Sequence, residues 1–120
     1  MRVRVELPLA FAAAHTVDSP RAGCPGLHGH SYRLRVAVEG ELDAASGTVA
    51  DLPRVEALLR DIVYRRLDHG RLNDHLENPT LERTASYLFD LLAGEIPELV
   101  EVRLEDGSGR AATVAPRREC

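Results

Sequence analysis

The sequence predicts an α+β protein: a mostly antiparallel β-sheet with two helices packed on one face. Three observations predict it. Apolar and polar residues alternate over segments at both ends of the chain, two stretches between them carry apolar residues at helical spacing, and turn-forming residues separate the segments. With 120 residues, 44% of them hydrophobic and 28% charged, residues 1–120 read as one globular domain. A net charge of −4 does not favour a nucleic-acid surface, so any anionic substrate must be met by a local cluster of arginines.

The elements follow in order. Val3, Val5 and Leu7 alternate with Arg2, Arg4 and Glu6 as a first strand, which Phe11-Ala12-Ala13-Ala14-His15 either continues or ends in a bend. Residues 16–27 contain Ser19-Pro20, Gly23 and Pro25-Gly26 and read as a loop. Pro25-Gly26 fits the centre of a type II turn, folding Cys24 back toward His28. His30 to Glu39 is the second strand, and period two places His28 and His30 on the buried face with Tyr32, Leu34, Val36 and Val38.

A short strand is expected near Thr48-Val49-Ala50. Asp51 as cap and Pro53 open a helix striped by Val55, Leu58, Leu59, Ile62, Val63 and Leu67, with Glu56 spaced to pair with Arg60. It stops near Asp68-His69-Gly70. Asn78-Pro79-Thr80 opens a second helix, striped by Leu81, Ala85, Leu88, Phe89 and Leu92 and ending by Gly94. Val100, Val102 and Leu104 alternate as a further strand, and Gly107-Ser108-Gly109 turns the chain back through Ala112 to Val114.

The N-terminus interleaves charges instead of building a signal-peptide core, and no apolar run approaches the roughly 20 residues of a membrane span. The expectation is a cytoplasmic chain with no membrane partner, a reduced Cys24 and no Cys24–Cys120 disulfide.

The chemistry concentrates in Cys24-Pro25-Gly26-Leu27-His28-Gly29-His30, with His15 a short loop upstream. Clustered neutral imidazoles are zinc ligands above all. Three readings stay open on these residues alone. His15, His28 and His30 hold a catalytic zinc with an open position, beside a free Cys24 thiol. Alternatively Cys24 is a fourth ligand that closes a structural site, or the three are core histidines without metal. Asp68-His69 reads either as a helix end or as a carboxylate–imidazole relay, and the relay needs a bend between the two neighbours. Glu105, if it faces a pocket, can accept two N–H bonds from a guanidine-like ring edge. A chain this short makes a poor enclosed pocket, which points to a site between subunits.

Taken together, Phe11-Ala12-Ala13-Ala14-His15, His28-Gly29-His30-Ser31-Tyr32, Leu67-Asp68-His69-Gly70-Arg71-Leu72-Asn73-Asp74, Glu77-Asn78-Pro79-Thr80-Leu81-Glu82 and Glu105 resemble, in order, the motifs of the 6-pyruvoyl-/6-carboxy-tetrahydropterin synthase family. The resemblance implies the tunnelling fold (T-fold) and a homohexamer of two stacked trimers with sites at subunit contacts. It implies His15, His28 and His30 as zinc ligands, Cys24 as the reactive thiol, Asp68 and His69 as a catalytic pair, and Glu105 as the pterin anchor. The interval from Cys24 to His28 resembles that of the bacterial 6-carboxy-tetrahydropterin synthases of queuosine (7-deazaguanine) biosynthesis. The implied substrate is 7,8-dihydroneopterin triphosphate, and the products are 6-carboxy-5,6,7,8-tetrahydropterin, acetaldehyde and triphosphate. The rivals are a pyruvoyl-forming elimination of triphosphate and a non-enzymatic, zinc-stabilised assembly domain. Two departures stand out: the short loop between His15 and Cys24, and Asp106 where the family carries threonine.

Overall fold

The computed structural model describes residues 1–17 and 26–117, so Cys24, Pro25 and Cys120 lie outside the described residues. Its elements are β1 (Arg2–His15), β2 (His28–Glu41), α1 (Leu52–Arg66), β3 (Gly70–Arg71), α2 (Leu81–Ala93), β4 (Leu99–Glu105) and β5 (Ala111–Val114). The five strands form one sheet in the order β3-β1-β2-β4-β5. All its pairings are antiparallel except β1 with β3.

β1 runs unbent through Phe11–His15, and β2 begins two residues earlier than its alternation alone requires. The two long strands pair along their whole length, from Arg2 opposite Glu41 to His15 opposite His28. That register puts Leu7, Leu9, Phe11 and Ala13 on the same face as Tyr32, Leu34, Val36 and Val38, all buried. Phe11 and Tyr32, directly opposite, stack with ring centroids 5.1 Å apart. Both helices cover this face, through Val55, Leu59 and Val63 of α1 and Ala85, Leu88 and Leu92 of α2. Each such leucine taken out of water contributes about 1.5–3 kcal/mol before entropy is charged against it. The other face of the sheet carries a ladder of charges, including Arg35 with Glu6, Arg2 with Glu39 and Arg4 with Glu101.

The helix ends match their sequence signals. Asp51 caps α1 by accepting from the Arg54 N–H at 3.3 Å, and Thr80 caps α2 by accepting from the Arg83 N–H at 3.1 Å. The i,i+4 ion pair of α1 is Arg65 with Asp61 at 2.7 Å; Glu56 and Arg60 form none. Residues 48–50 form bends and not a strand, because the 43–48 turn closes on itself through Asp43, Ser46 and Thr48. β3 was not expected: two residues carry no period for a pattern to show. No described helix is long and apolar enough to cross a membrane.

The β4–β5 turn approaches β2 closely. Gly107 has φ +87°, and a Cβ there would lie 3.0 Å from the Ser31 carbonyl oxygen. Gly107→Ala is expected to destabilise the fold by about 1–3 kcal/mol, read as a lowered urea midpoint, because strain and crowding coincide.

Candidate active site

The β1–β2 register builds the site. His15 and His28 are cross-strand partners, and His30 lies opposite Ala13, one diagonal step away on the same face. Their rings meet edge to face, with centroids 4.5–4.9 Å apart. The Nε2 of His15 lies 2.9 Å from that of His28 and 3.1 Å from that of His30.

The outer nitrogens decide what this means. His15 Nδ1 lies 2.7 Å from the Pro79 carbonyl oxygen, and His28 Nδ1 lies 3.0 Å from that of Gly26. A carbonyl only accepts, so each Nδ1 donates and each Nε2 keeps a bare lone pair. Two lone pairs facing each other at 2.9 Å repel unless a cation is between them. A second proton on His15 is disfavoured as that cation. Burial, at 6% exposure, pushes the His15 imidazole below its ordinary value, and its two neighbours lower it further against the pull of the Pro79 carbonyl. A metal ion fits. Nitrogens about 2.0–2.1 Å from a tetrahedral zinc are about 3.3–3.4 Å apart, slightly wider than the spacing here. The three histidines are the group of described residues able to hold such an ion.

Two features that the sequence did not flag fix the triad. Asn73, in the single 3₁₀ turn after β3, clamps both backbone groups of Thr16, accepting from its N–H at 2.9 Å and donating to its carbonyl at 2.9 Å. Pro79, just before α2, supplies the carbonyl that orients His15. Asn73 stands in a quoted motif, but its partner is 57 residues away and leaves no local signal.

The triad lies in the wall of a cavity of about 790 Å³. Tyr32, Thr80, Glu82, Asp106 and Arg110 line it too, and Glu105 does not. Strand alternation explains the exchange: Leu104 faces the core, so Glu105 faces the charged side opposite Arg33, with Arg103 at 3.6 Å. Asp106 follows the last strand residue and is only 6% exposed. Burial raises its carboxyl, but hydrogen bonds from Ser108 and the Arg110 guanidinium outweigh that and hold it below the usual carboxylate range. Burial and the nearby Asp106 charge push the Tyr32 phenol up, so it stays neutral.

Asp68 and His69 pair directly, His69 Nδ1 lying 2.9 Å from Asp68 Oδ2. The bend that this needs is present, since His69 has φ +58°. Asp68 Oδ1 also accepts the Ala12 N–H at 2.9 Å, fastening the end of α1 to β1. That bond, with the contacts from His69, holds the Asp68 carboxyl below its usual range. The stabilisation is therefore complete above the unfolded value of about 3.9 and is lost as pH falls through the folded value. Asp68→Ala should flatten the acid side of the stability profile while leaving its neutral-to-basic slope, as checked by urea midpoints from about pH 2 to 9.

The His69 ring is 83% exposed and does not line the triad's cavity. It lines a second hollow of about 380 Å³ with Ala12, Ala14, Gly29 and Ser31 of the sheet's opposite face, and Ala13 and His30 line that hollow too. Within one chain, His69 lies outside the cavity that all three histidines of the triad line, and His30 alone of the triad also lines the hollow of His69.

Comparison with known proteins places this geometry among relatives. A family model described as 6-pyruvoyl tetrahydropterin synthase matches residues 4–117. The chain is 38% identical over 117 residues to a 6-carboxy-5,6,7,8-tetrahydropterin synthase of Synechocystis sp., with 90% of each covered. It is 33% identical over 103 residues to a dihydroneopterin monophosphate aldolase of Pyrococcus furiosus, with 86% of each covered. The solved structure of Caenorhabditis elegans 6-pyruvoyl tetrahydropterin synthase superposes with a TM-score of 0.84 at 25% identity, covering 98% of this chain and 97% of that one.

Proposed function

We propose, from the premise that this chain belongs to the 6-pyruvoyl tetrahydropterin synthase family and has its tunnelling fold, that it is a zinc-dependent lyase of the 6-carboxy-tetrahydropterin synthase type. It converts 7,8-dihydroneopterin triphosphate to 6-carboxy-5,6,7,8-tetrahydropterin, acetaldehyde and triphosphate, in the cytoplasm, as a step of queuosine biosynthesis. The observation that carries this reading is the convergence of three oriented imidazole nitrogens in a cavity large enough for a bicyclic ring and its side chain. The 38% identity to the Synechocystis synthase supports the branch.

His15, His28 and His30 hold the zinc, which when bound supplies Lewis acidity toward the oxygens of the substrate side chain. Cys24, as thiolate, takes the proton from the side-chain carbon next to the ring. His69, oriented by the 2.9 Å contact with Asp68, returns a proton on the opposite side. Glu105 accepts the N–H groups of the pterin edge and fixes the ring; because it does not line the cavity of its own chain's triad, a neighbouring chain supplies it. The exclusion of His69 from the cavity of its own chain's triad supports a site completed by the Asp68–His69 pair of a neighbouring chain in a homohexamer.

A second reading has its own support: the relative from Pyrococcus furiosus is a dihydroneopterin monophosphate aldolase, which favours cleavage of a monophosphate side chain. Incubating the zinc-loaded protein with the triphosphate and the monophosphate of 7,8-dihydroneopterin, with products identified by mass spectrometry, separates the two. Carboxy-tetrahydropterin with acetaldehyde supports the synthase. A hydroxymethyl-dihydropterin from the monophosphate alone moves the assignment to the aldolase, and a pyruvoyl product moves it to the third branch.

A further inference from the structure

We infer that Arg110 binds the phosphate carried by the substrate side chain, and that Asp106 and Ser108 hold it in place for that task. This rests on the reading of the substrate as a phosphorylated dihydroneopterin, and it holds for the triphosphate and the monophosphate alike.

The β4–β5 turn is built around this guanidinium. Asp106 Oδ1 accepts the Ser108 N–H at 2.9 Å and its hydroxyl at 2.5 Å. Asp106 Oδ2 lies 3.2 Å from Arg110 Nη2, and Arg110 Nε donates to Ser108 Oγ at 3.1 Å. A guanidinium has five N–H donors, and these contacts use two of them. Three remain on a side chain that is 64% exposed while its carboxylate partner is buried. The fork is therefore held from behind and presents a free edge, which lowers the entropy lost on binding an anion.

Position and charge narrow the role. Arg110 lines the same cavity as the triad and is the one permanent cation among the described lining residues, which also include the carboxylates Glu82 and Asp106. Its ion-pair partner Asp106 lines that cavity as well, so both members of the pair face the space that the triad faces. The phosphate of this substrate class hangs on the three-carbon side chain whose oxygens face the triad, only a few bonds away. A planar, bidentate donor in the same cavity as the triad matches it. Without Arg110, Asp106 would leave an uncompensated carboxylate in the cavity that is to take an anion.

The test is calorimetric titration of inorganic tripolyphosphate into the zinc-loaded wild type and the Arg110→Gln and Arg110→Lys variants, with kinetics alongside. Arg110→Gln is expected to weaken tripolyphosphate about 10-fold or more. It should raise KM for phosphorylated 7,8-dihydroneopterin with kcat little changed. Arg110→Lys should recover part of the loss. Because the side chain is exposed, circular dichroism should show all variants folded. Unchanged tripolyphosphate affinity in Arg110→Gln, or no binding to wild type, overturns the inference. If no dihydroneopterin is turned over, the functional reading fails, and the tripolyphosphate titration still decides the role of Arg110.

Discussion

His15→Ala should leave a folded protein that binds zinc more than about 100-fold more weakly and has no measurable turnover. Loss of a group that only orients a metal ligand typically costs about 10–100-fold in affinity or activity, and His15 is itself the shared centre of the triad, its Nε2 within 3.1 Å of both partners. The fold should survive because the packed core lies between the helices and the middle of the sheet, built from Leu34, Val36, Leu59, Val63, Leu88 and Leu92, away from the histidine end of β1 and β2. Metal analysis and circular dichroism of the purified variant check both halves. Chelating the wild type should act the same way. Unfolding on chelation would instead favour the zinc-stabilised assembly domain, in which the metal contributes folding energy outright.

Cys24→Ala should abolish turnover while zinc stays bound. General acid–base groups contribute about 10²- to 10⁴-fold, and an alanine cannot take a proton. The same variant separates the two roles that the sequence leaves open for this thiol. A base leaves metal stoichiometry untouched when removed, whereas a fourth ligand takes the metal with it. Zinc content and turnover measured on one preparation decide between them.

Much of this was legible because strands announce themselves by period. Alternation through Tyr32, Leu34, Val36 and Val38 extends backward to His30 and His28, so the face of both histidines is legible without their partner. That His15 sits opposite His28 follows from register, and register depends on the whole length of two strands. The caps Asp51 and Thr80 were visible because capping is local chemistry. Long-range fastenings were not visible: Asn73 on Thr16, Asp68 on the Ala12 N–H and the Pro79 carbonyl on His15 join residues far apart in sequence. The strand expected at residues 48–50 failed because local hydrogen bonds among Asp43, Ser46 and Thr48 satisfy the backbone as a turn. Asp106 was noticed only as a departure, since a strand pattern ending at Glu105 cannot say that the next residue folds into the cavity.

Complementation between two inactive variants tests the shared site most directly. His15→Ala lacks the metal centre, and His69→Asn lacks the imidazole while keeping a residue that tolerates φ +58°. Unfolded together in equal amounts and refolded, they should form mixed assemblies in which about a quarter of the sites carry an intact triad from one chain and an intact His69 from its neighbour. The account predicts activity returning to about that fraction of wild type, with each variant refolded alone remaining inactive. A mixture as inactive as its parents, with mixed assembly verified by mass spectrometry, would contradict it.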